Sequence, residues 1–114
     1  MRVKSKIWLE TEDQKIIFSD GRRDLLRAIE ELGSIHRAAQ QMGMSYRAAW
    51  GKIKASEERL GFHLVATSAG GPRGGGAVLT EEGRSFLDKY EKFKAEANTA
   101  VDALFRSHFP DGRP

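Results

Sequence analysis

The stretch from Gly33 to Gly61 constrains this chain most, because its turn residues leave room for two short helices and little else. Gly33 stops a preceding amphipathic segment, Arg22 to Leu32, in which Leu25, Leu26, Ile29 and Leu32 fall on one helical face. Ser34 offers an N-cap for the next helix. Its apolar side is Ile35, Ala38, Ala39 and Met42, while His36, Arg37, Gln40 and Gln41 face outward. Gly43-Met44-Ser45 then reads as a tight turn, with a glycine free to take positive φ and a serine placed to cap a third helix. That helix is predicted from Tyr46 to about Leu60, ending at Gly61. Ala49, Ile53 and Leu60 share one side, and Arg47, Gly51 and Lys54 another. Tyr46 and Trp50 lie on the wheel with Ile53, which favours core packing for both; contact of either ring with a nucleic-acid backbone or a thymine methyl stays open.

The flanks complete a mainly α pattern with small β elements. Residues 5–18 carry two apolar runs, Ile7-Trp8-Leu9 and Ile16-Ile17-Phe18, separated by polar Thr11-Glu12-Asp13-Gln14, which predicts a β-hairpin. Ser19-Asp20 supplies an N-cap for the first helix. After Gly61, Phe62 to Val65 is a strand candidate and Ala77-Val78-Leu79 its return, so 62–79 reads as a second hairpin with a glycine-rich tip from Ser68 to Gly76, where Arg73 is the one charge. Thr80 caps a last helix running to about His108. Its apolar residues Phe86, Tyr90, Phe93, Ala97, Ala100 and Leu104 are spaced 4, 3, 4, 3, 4, a heptad seam. At 1.5 Å per residue this helix is about 40 Å long, more than the body of so small a domain can cover. It is therefore expected to pair with a second copy.

The 114 residues fit one domain, 1–114, with a modest core that pairing would help. There is no cysteine, hence no disulfide framework or thiolate metal site. The first residues lack the apolar core of a secretory signal, and no apolar run suffices for a membrane span, so a cytoplasmic location is expected. Charge is unevenly placed. Between Gly33 and Thr80 stand six Lys or Arg against two acids, Glu57 and Glu58, and from Gly33 to Ser56 there is no acid at all. The rest of the chain holds 13 Lys or Arg and 14 acids, so the positive excess of +3 comes from the middle segment. Such a patch suits an anionic partner.

Helix, tight turn, helix and hairpin, in that order, is the arrangement of a winged helix-turn-helix. The second helix of such a pair must enter a major groove about 12 Å wide, so its outer face needs small or polar residues. Ser45, Arg47, Ala48, Gly51 and Lys54 meet that need. Arg47 lies in the first turn, where base edges are met, and an arginine there reads guanine through a bidentate contact. Lys52 and Lys54 are placed for phosphates, as are Ser34 and Ser45 with the helix N-terminal amides. The candidate DNA contacts are Ser34, Arg37, Ser45, Tyr46, Arg47, Ala48, Gly51, Lys52, Lys54, and Arg73 and Gly74 of the wing tip, which suits the minor groove. The candidate dimer interface is Leu25, Ile29, Phe86, Tyr90, Phe93, Ala97, Ala100 and Leu104.

Residues 16 to 105 resemble the N-terminal DNA-binding domain of the ModE family of molybdate-responsive regulators, itself similar to the helix-turn-helix of LysR-type regulators. The resemblance is carried by Ile16-Ile17-Phe18 with Arg22-Arg23, Gly33-Ser34-Ile35, Gly43-Met44-Ser45-Tyr46-Arg47-Ala48-Ala49-Trp50, and Gly70-Gly71-Pro72-Arg73-Gly74-Gly75-Gly76-Ala77-Val78-Leu79-Thr80. It implies a homodimer joined through the first and last helices, a palindromic operator, the Ser45–Lys54 helix in the major groove and the glycine-rich loop as wing. Family members continue into a molybdate-binding domain. Nothing in residues 1–114 corresponds to it, so direct molybdate sensing by these residues is not expected.

Other functional classes fit less well. The glycine-rich loop lacks the Gly-Lys-Ser/Thr of a phosphate-binding loop, and His36, His63 and His108 are too far apart for metal-ligand spacing. The adjacent acids Glu57-Glu58 and Glu81-Glu82 point different ways on a helix and read as solvated surface. Neither catalysis nor a cofactor is expected. The remaining alternative is a protein-interaction module that pairs with a larger ModE-like regulator without binding DNA. An acid-free outer face on the third helix argues for DNA over docking.

Overall fold

The structure, a computed structural model, describes residues 1–69 and 75–114. A short hairpin opens the chain, β1 (Leu9–Glu10) against β2 (Ile16–Phe18). Three helices follow, α1 (Asp20–Leu32), α2 (Ile35–Gln41) and α3 (Tyr46–Leu60). A second antiparallel hairpin, β3 (Val65–Thr67) with β4 (Ala77–Leu79), precedes α4 (Glu81–His108) and a short 3-10 turn at Pro110–Gly112. The wing strand thus begins at Val65, where the 62–65 run was expected to end, and the first hairpin is shorter than its apolar runs suggested. In the wing the Leu64 N–H is taken by the Glu57 carboxylate, so pairing begins one residue later, and in the first hairpin the register is irregular between Leu9 and Glu10.

The core is small and drawn from every element. Phe18, Leu25, Leu26, Ala28, Ile29, Ile35, Ala38, Ala39, Ala49, Ile53, Leu64, Val65, Ala77, Leu79, Leu87 and Tyr90 are buried in one cluster. Phe18 sits at its centre. Its ring lies edge-on to Phe86 and Tyr90, with centroids 5.0 and 4.9 Å away, a favoured geometry for the ring quadrupoles. Expected caps are present at Ser34, Ser45 and Thr80, whose hydroxyls accept from the N–H groups of Arg37, Ala48 and Gly83. Ser19 makes no side-chain cap; the neighbouring Asp20 accepts instead from the Tyr90 hydroxyl at 2.7 Å and pairs with Lys94.

This burial corrects part of the expected dimer interface. Leu25, Ile29 and Tyr90 are buried within the protomer, so they cannot meet a second copy. Tyr90 broke the heptad reading because two stripes overlap on α4. Gly83, Leu87 and Tyr90 face the core. Beyond them the same flank is lined by the N-terminal segment: Tyr90 donates to Ile7 O at 3.3 Å, Ser5 to Asn98 Oδ1 at 2.7 Å, and the terminal ammonium to Gly112 O at 3.3 Å. The other flank leaves Phe93 48% and Leu104 59% exposed, with Ala100 exposed and Ala97 half-buried between them. Phe86, half-buried, gives its ring to Phe18 and Phe62. The molecule is elongated, 60 × 28 × 23 Å, because α4 outruns the body.

One contact holds the base of α4 against the wing. A Cβ at Gly83 would stand 2.3 Å from Leu64 O, an impossible distance for an unshifted backbone. Leu64 O in turn accepts from Thr80 N–H at 2.9 Å, so it cannot withdraw without losing that bond. Gly83→Ala is therefore expected to destabilise the fold by about 1–3 kcal/mol, the cost of overpacking a tight contact. Thermal unfolding followed by circular dichroism should register it as a lowered Tm, while Gly51→Ala, which meets nothing within 4 Å, should not.

Candidate nucleic-acid interface

The turn between α2 and α3 is built from local chemistry. Gly43 has φ of 72°, a left-handed conformation open to glycine. It lets Gly43 N–H reach Gln40 O at 3.1 Å and Met44 N–H reach Ala39 O at 3.0 Å, closing α2. Ser45 then starts α3 through its hydroxyl, 3.0 Å from Ala48 N. Ile35, Ala38 and Ala39 of α2 and Ala49 and Ile53 of α3 are buried; these mostly small side chains draw the two helices together, a pair ending in two exposed N-terminal turns.

The remaining side of α3 faces solvent. Arg47, Ala48, Gly51 and Lys52 are exposed, as is Arg37 on α2. Among the described residues, none of Arg37, Arg47 and Lys52 forms an ion pair. Lys54 differs. Its ammonium lies 3.0 Å from Glu57 and 5.5 Å from the Trp50 ring centroid. Ser34 and Ser45 accept backbone N–H bonds and keep a hydroxyl proton for an outside acceptor. Arg73 and Gly74 lie outside the described residues.

Tyr46 and Trp50 were expected in the core, and the structure corrects this. They are 40% and 44% exposed. The wheel position beside Ile53 is right, but the core is one helix deep here. Ala49 and Ile53 fill it, and the flank occupied by Tyr46 and Trp50 opens towards the wing. There His36 stacks on Tyr46, centroids 4.0 Å apart and planes within 12°. A cleft of about 270 Å³ is lined by Ile35, His36, Tyr46, Trp50, Thr67, Ser68, Gly75, Gly76 and Ala77. It joins both helix starts to the two strand ends of the wing. Sequence reasoning missed His36, Trp50, Thr67 and Ser68 as members of this surface; the i, i+4 spacing of the two rings was the available signal.

A buried carboxylate orients the wing. Glu57, expected on a solvated face, is 6% exposed. It accepts from Leu64 N at 2.7 Å and Val65 N at 3.2 Å, with Lys54 at 3.0 Å and His63 Nδ1 at 3.4 Å. Burial alone would raise its pKa, but the Lys54 ammonium and the two N–H donors outweigh it and hold the carboxyl below the usual carboxylate range. Arg22 and Arg59 are likewise structural, donating to Ser56 Oγ at 2.7 Å and to Ile16 O. Between α1 and α4 the charges are paired locally: Arg27 pairs with Glu30, Asp88 and Glu91 at 2.9, 3.1 and 2.7 Å. Free positive charge among the contacts proposed from sequence is thus left on the α2–α3 face. Among the described residues no group of three or more His, Cys, Asp or Glu could hold a metal, and no helix is long and apolar enough to cross a membrane.

A basic second helix presented by a glycine turn, beside a two-stranded wing, defines a winged helix-turn-helix protein. Residues 24–84 match the family described as bacterial regulatory helix-turn-helix protein, lysR family, and the chain belongs to that family. It is similar to the molybdenum transport protein ModE of Azotobacter vinelandii, with 40% identity over 103 residues, covering 90% of this chain and 38% of that protein. It is 35% identical over 103 residues to the DNA-binding transcriptional dual regulator ModE of Escherichia coli K12, covering 90% and 39%, and 42% identical over 83 residues to the molybdenum-pterin-binding protein MopB of Rhodobacter capsulatus, covering 73% and 31%. The chain thus spans about a third of the length of these relatives, between 31% and 39%. In fold it resembles the CbnR DNA-binding domain solved with DNA, at TM-score 0.56 and 23% identity over 76% of this chain and 94% of that one. The BenM DNA-binding domain on benA site 1 DNA matches at TM-score 0.53 and 22% identity, over 80% and 96%.

The Glu57 bond set has a pH signature. A carboxyl held below its ordinary value contributes stability that is present above about pH 4.5 and is lost as pH falls through the folded value. Glu57→Gln is expected to cost about 1–3 kcal/mol at pH 7, since an amide keeps one acceptor and loses the charge-assisted bonds. Urea unfolding at pH 7 and pH 3 should show the gap between wild type and variant narrowing at the lower pH, where the carboxyl is protonated in the unfolded chain and its charge no longer favours the fold to the same extent.

Proposed function

We propose that this chain binds duplex DNA as a homodimer and regulates transcription, with α3 in the major groove and the wing, including Arg73 and Gly74, at the neighbouring minor groove. The observation that carries the reading is the outer face of α3. Gly51 stands in mid-helix with open space beyond its Cβ position, flanked by exposed Arg47, Ala48 and Lys52. Nothing in the fold requires a glycine there, and it weakens the helix by about 1 kcal/mol against alanine. Close approach of a DNA groove accounts for it. The unpaired charges of Arg37, Arg47 and Lys52 supply the phosphate and base contacts. The name of the Escherichia relative, a DNA-binding transcriptional dual regulator, points to the same kind of protein.

Pairing rests on α4. Phe93, Ala97, Ala100 and Leu104 form an apolar stripe on the flank that neither the core nor the N-terminal segment covers. A second copy turned by two-fold symmetry would bury it and present two α3 helices to a palindromic site.

Fluorescence anisotropy with the tightest duplex selected from a random pool tests DNA reading directly. Log K should fall steeply with log salt. Arg47→Ala is expected to weaken that duplex by about 1–3 kcal/mol and to relax preference at one position. Lys52→Ala should weaken all duplexes alike and lower the salt slope by about one. Gly51→Ala should stabilise the free protein and weaken binding. If the pool yields no bound duplex, the α3 assignment fails. For pairing, sedimentation equilibrium should give twice the chain mass for the wild type and the single chain mass for a Phe93→Glu, Leu104→Glu variant, which leaves the core untouched.

A further inference from the structure

We infer that the exposed rings of Trp50 and Tyr46 read thymine methyl groups, so that part of the sequence preference is apolar and independent of Arg47. The inference rests on the DNA-binding reading above and deepens it. Three observations carry it. The two rings are i, i+4 neighbours on α3 and expose 44% and 40% of their surface, although the core beside them is closed. Each is held in place: Tyr46 by the His36 ring stacked 4.0 Å away, Trp50 by the Lys54 ammonium 5.5 Å from its centroid. Lys54 is itself anchored on the buried Glu57 carboxylate at 3.0 Å. These contacts restrict the rings in the free protein, so part of the cost of ordering them is met before an incoming surface arrives.

The position of the rings selects the group they meet. They stand on the flank of α3 that leans to the wing, lining the cleft with Thr67, Ser68 and Gly76. With α3 in the major groove and the wing at the minor groove, the strand between the two passes over this cleft. A thymine C5-methyl projects into the major groove near its own backbone, at the groove wall and not at its centre. That wall is where Trp50 and Tyr46 lie, whereas Arg47 and Gly51 face the middle. Methyl contact by apolar side chains is a base-reading mode open to T and closed to C, A and G. A phosphate clamp would instead need a free cation. Here the Lys54 charge is already engaged on Glu57, and the cleft offers neutral donors, the Tyr46 and Thr67 hydroxyls and the Trp50 indole N–H.

The test uses the full chain and the tightest duplex from the random pool, made once with thymine and once with deoxyuridine at every thymine position, then with single replacements. Base pairing is kept and only the methyl is removed. Burial of one methyl predicts a loss of about fourfold in affinity. Wild type should lose at least that on full replacement, with the loss localised to one or two positions per half-site. Trp50→Ala and Trp50→Gln should bind the thymine duplex more weakly and show no further loss at those positions. Tyr46→Phe should keep wild-type sensitivity, because the ring and not the hydroxyl is the reader. Unchanged melting of the variants, checked by circular dichroism, separates contact loss from unfolding. If wild type is insensitive to deoxyuridine, or if the Trp50 variants remain as sensitive as wild type, the inference is overturned and the rings pack on deoxyribose. Binding to the thymine duplex is measured first, so failure of the DNA reading itself appears separately, as no bound duplex at all.

Discussion

The angle between α3 and the wing hangs on one carboxylate. Glu57 leaves α3 on its last turn, turns inward, and accepts from the first two N–H groups that lead into the wing strand. Those N–H groups would otherwise be buried without partners, a state that costs a few kcal/mol. The helix that presents the basic face and the hairpin beside it are therefore positioned by the same group. Thr80 and Gly83 finish the arrangement from the other end, where Leu64 O bonds Thr80 N–H and closes on the glycine. A rigid relation between helix and wing matters because a major and an adjacent minor groove are separated by a fixed width of backbone. A wing free to swing would have to be ordered at the expense of affinity.

α4 serves two masters, and this explains its length and its mixed pattern. Its first turns complete the core through Leu87 and Tyr90. Farther along, the N-terminal segment covers the same flank by backbone and side-chain bonds. What stays open is a second stripe rotated away from the first. A single heptad reading merges the two, taking Tyr90 for the seam along with Phe93. The merged pattern is periodic because residues four and three apart recur on both stripes. Only the position of Phe18, edge-on to Tyr90, tells them apart.

Legibility from sequence tracks the range of the forces involved. Helix starts at Ser34, Ser45 and Thr80 and stops at Gly33 and Gly61 are set by bonds within four residues, and all five were readable. So were the order of elements, the lysR-type family and the basic outer face of α3. The unreadable features depend on residues in other elements of the fold. Leu25 and Ile29 pass for partner contacts because an apolar face does not say whether its cover comes from the same chain. Glu57 passes for a solvated acid because its donors, Leu64 and Val65, come from an element whose placement no local pattern encodes. Ser19 fails as a cap for the same reason: Tyr90 and Lys94, 70 and 74 residues along the chain from Asp20, hold Asp20 in that place.

The departures from ordinary folding rules are not spread evenly, and their distribution is itself informative. Several have an internal cause. Gly83 is a glycine because Leu64 O is in the way, Glu57 is a buried acid because four donors surround it, and Asp20 is tied to Tyr90 and Lys94. Two departures lack any such cause within the chain: a glycine in the middle of α3 with open space around it, and two aromatic rings left near half-exposed one turn apart. Both lie on the same helix, on adjoining faces, within the stretch from Gly33 to Ser56 that holds no acid. A fold gains nothing from either. Local consistency is what makes a sequence specify its structure, and where it lapses without compensation the reason lies outside the chain. A deep, anionic groove with methyl groups along its walls accounts for the glycine, the rings and the unopposed arginines at once, whereas a protein surface would explain the rings and leave the other two without a cause.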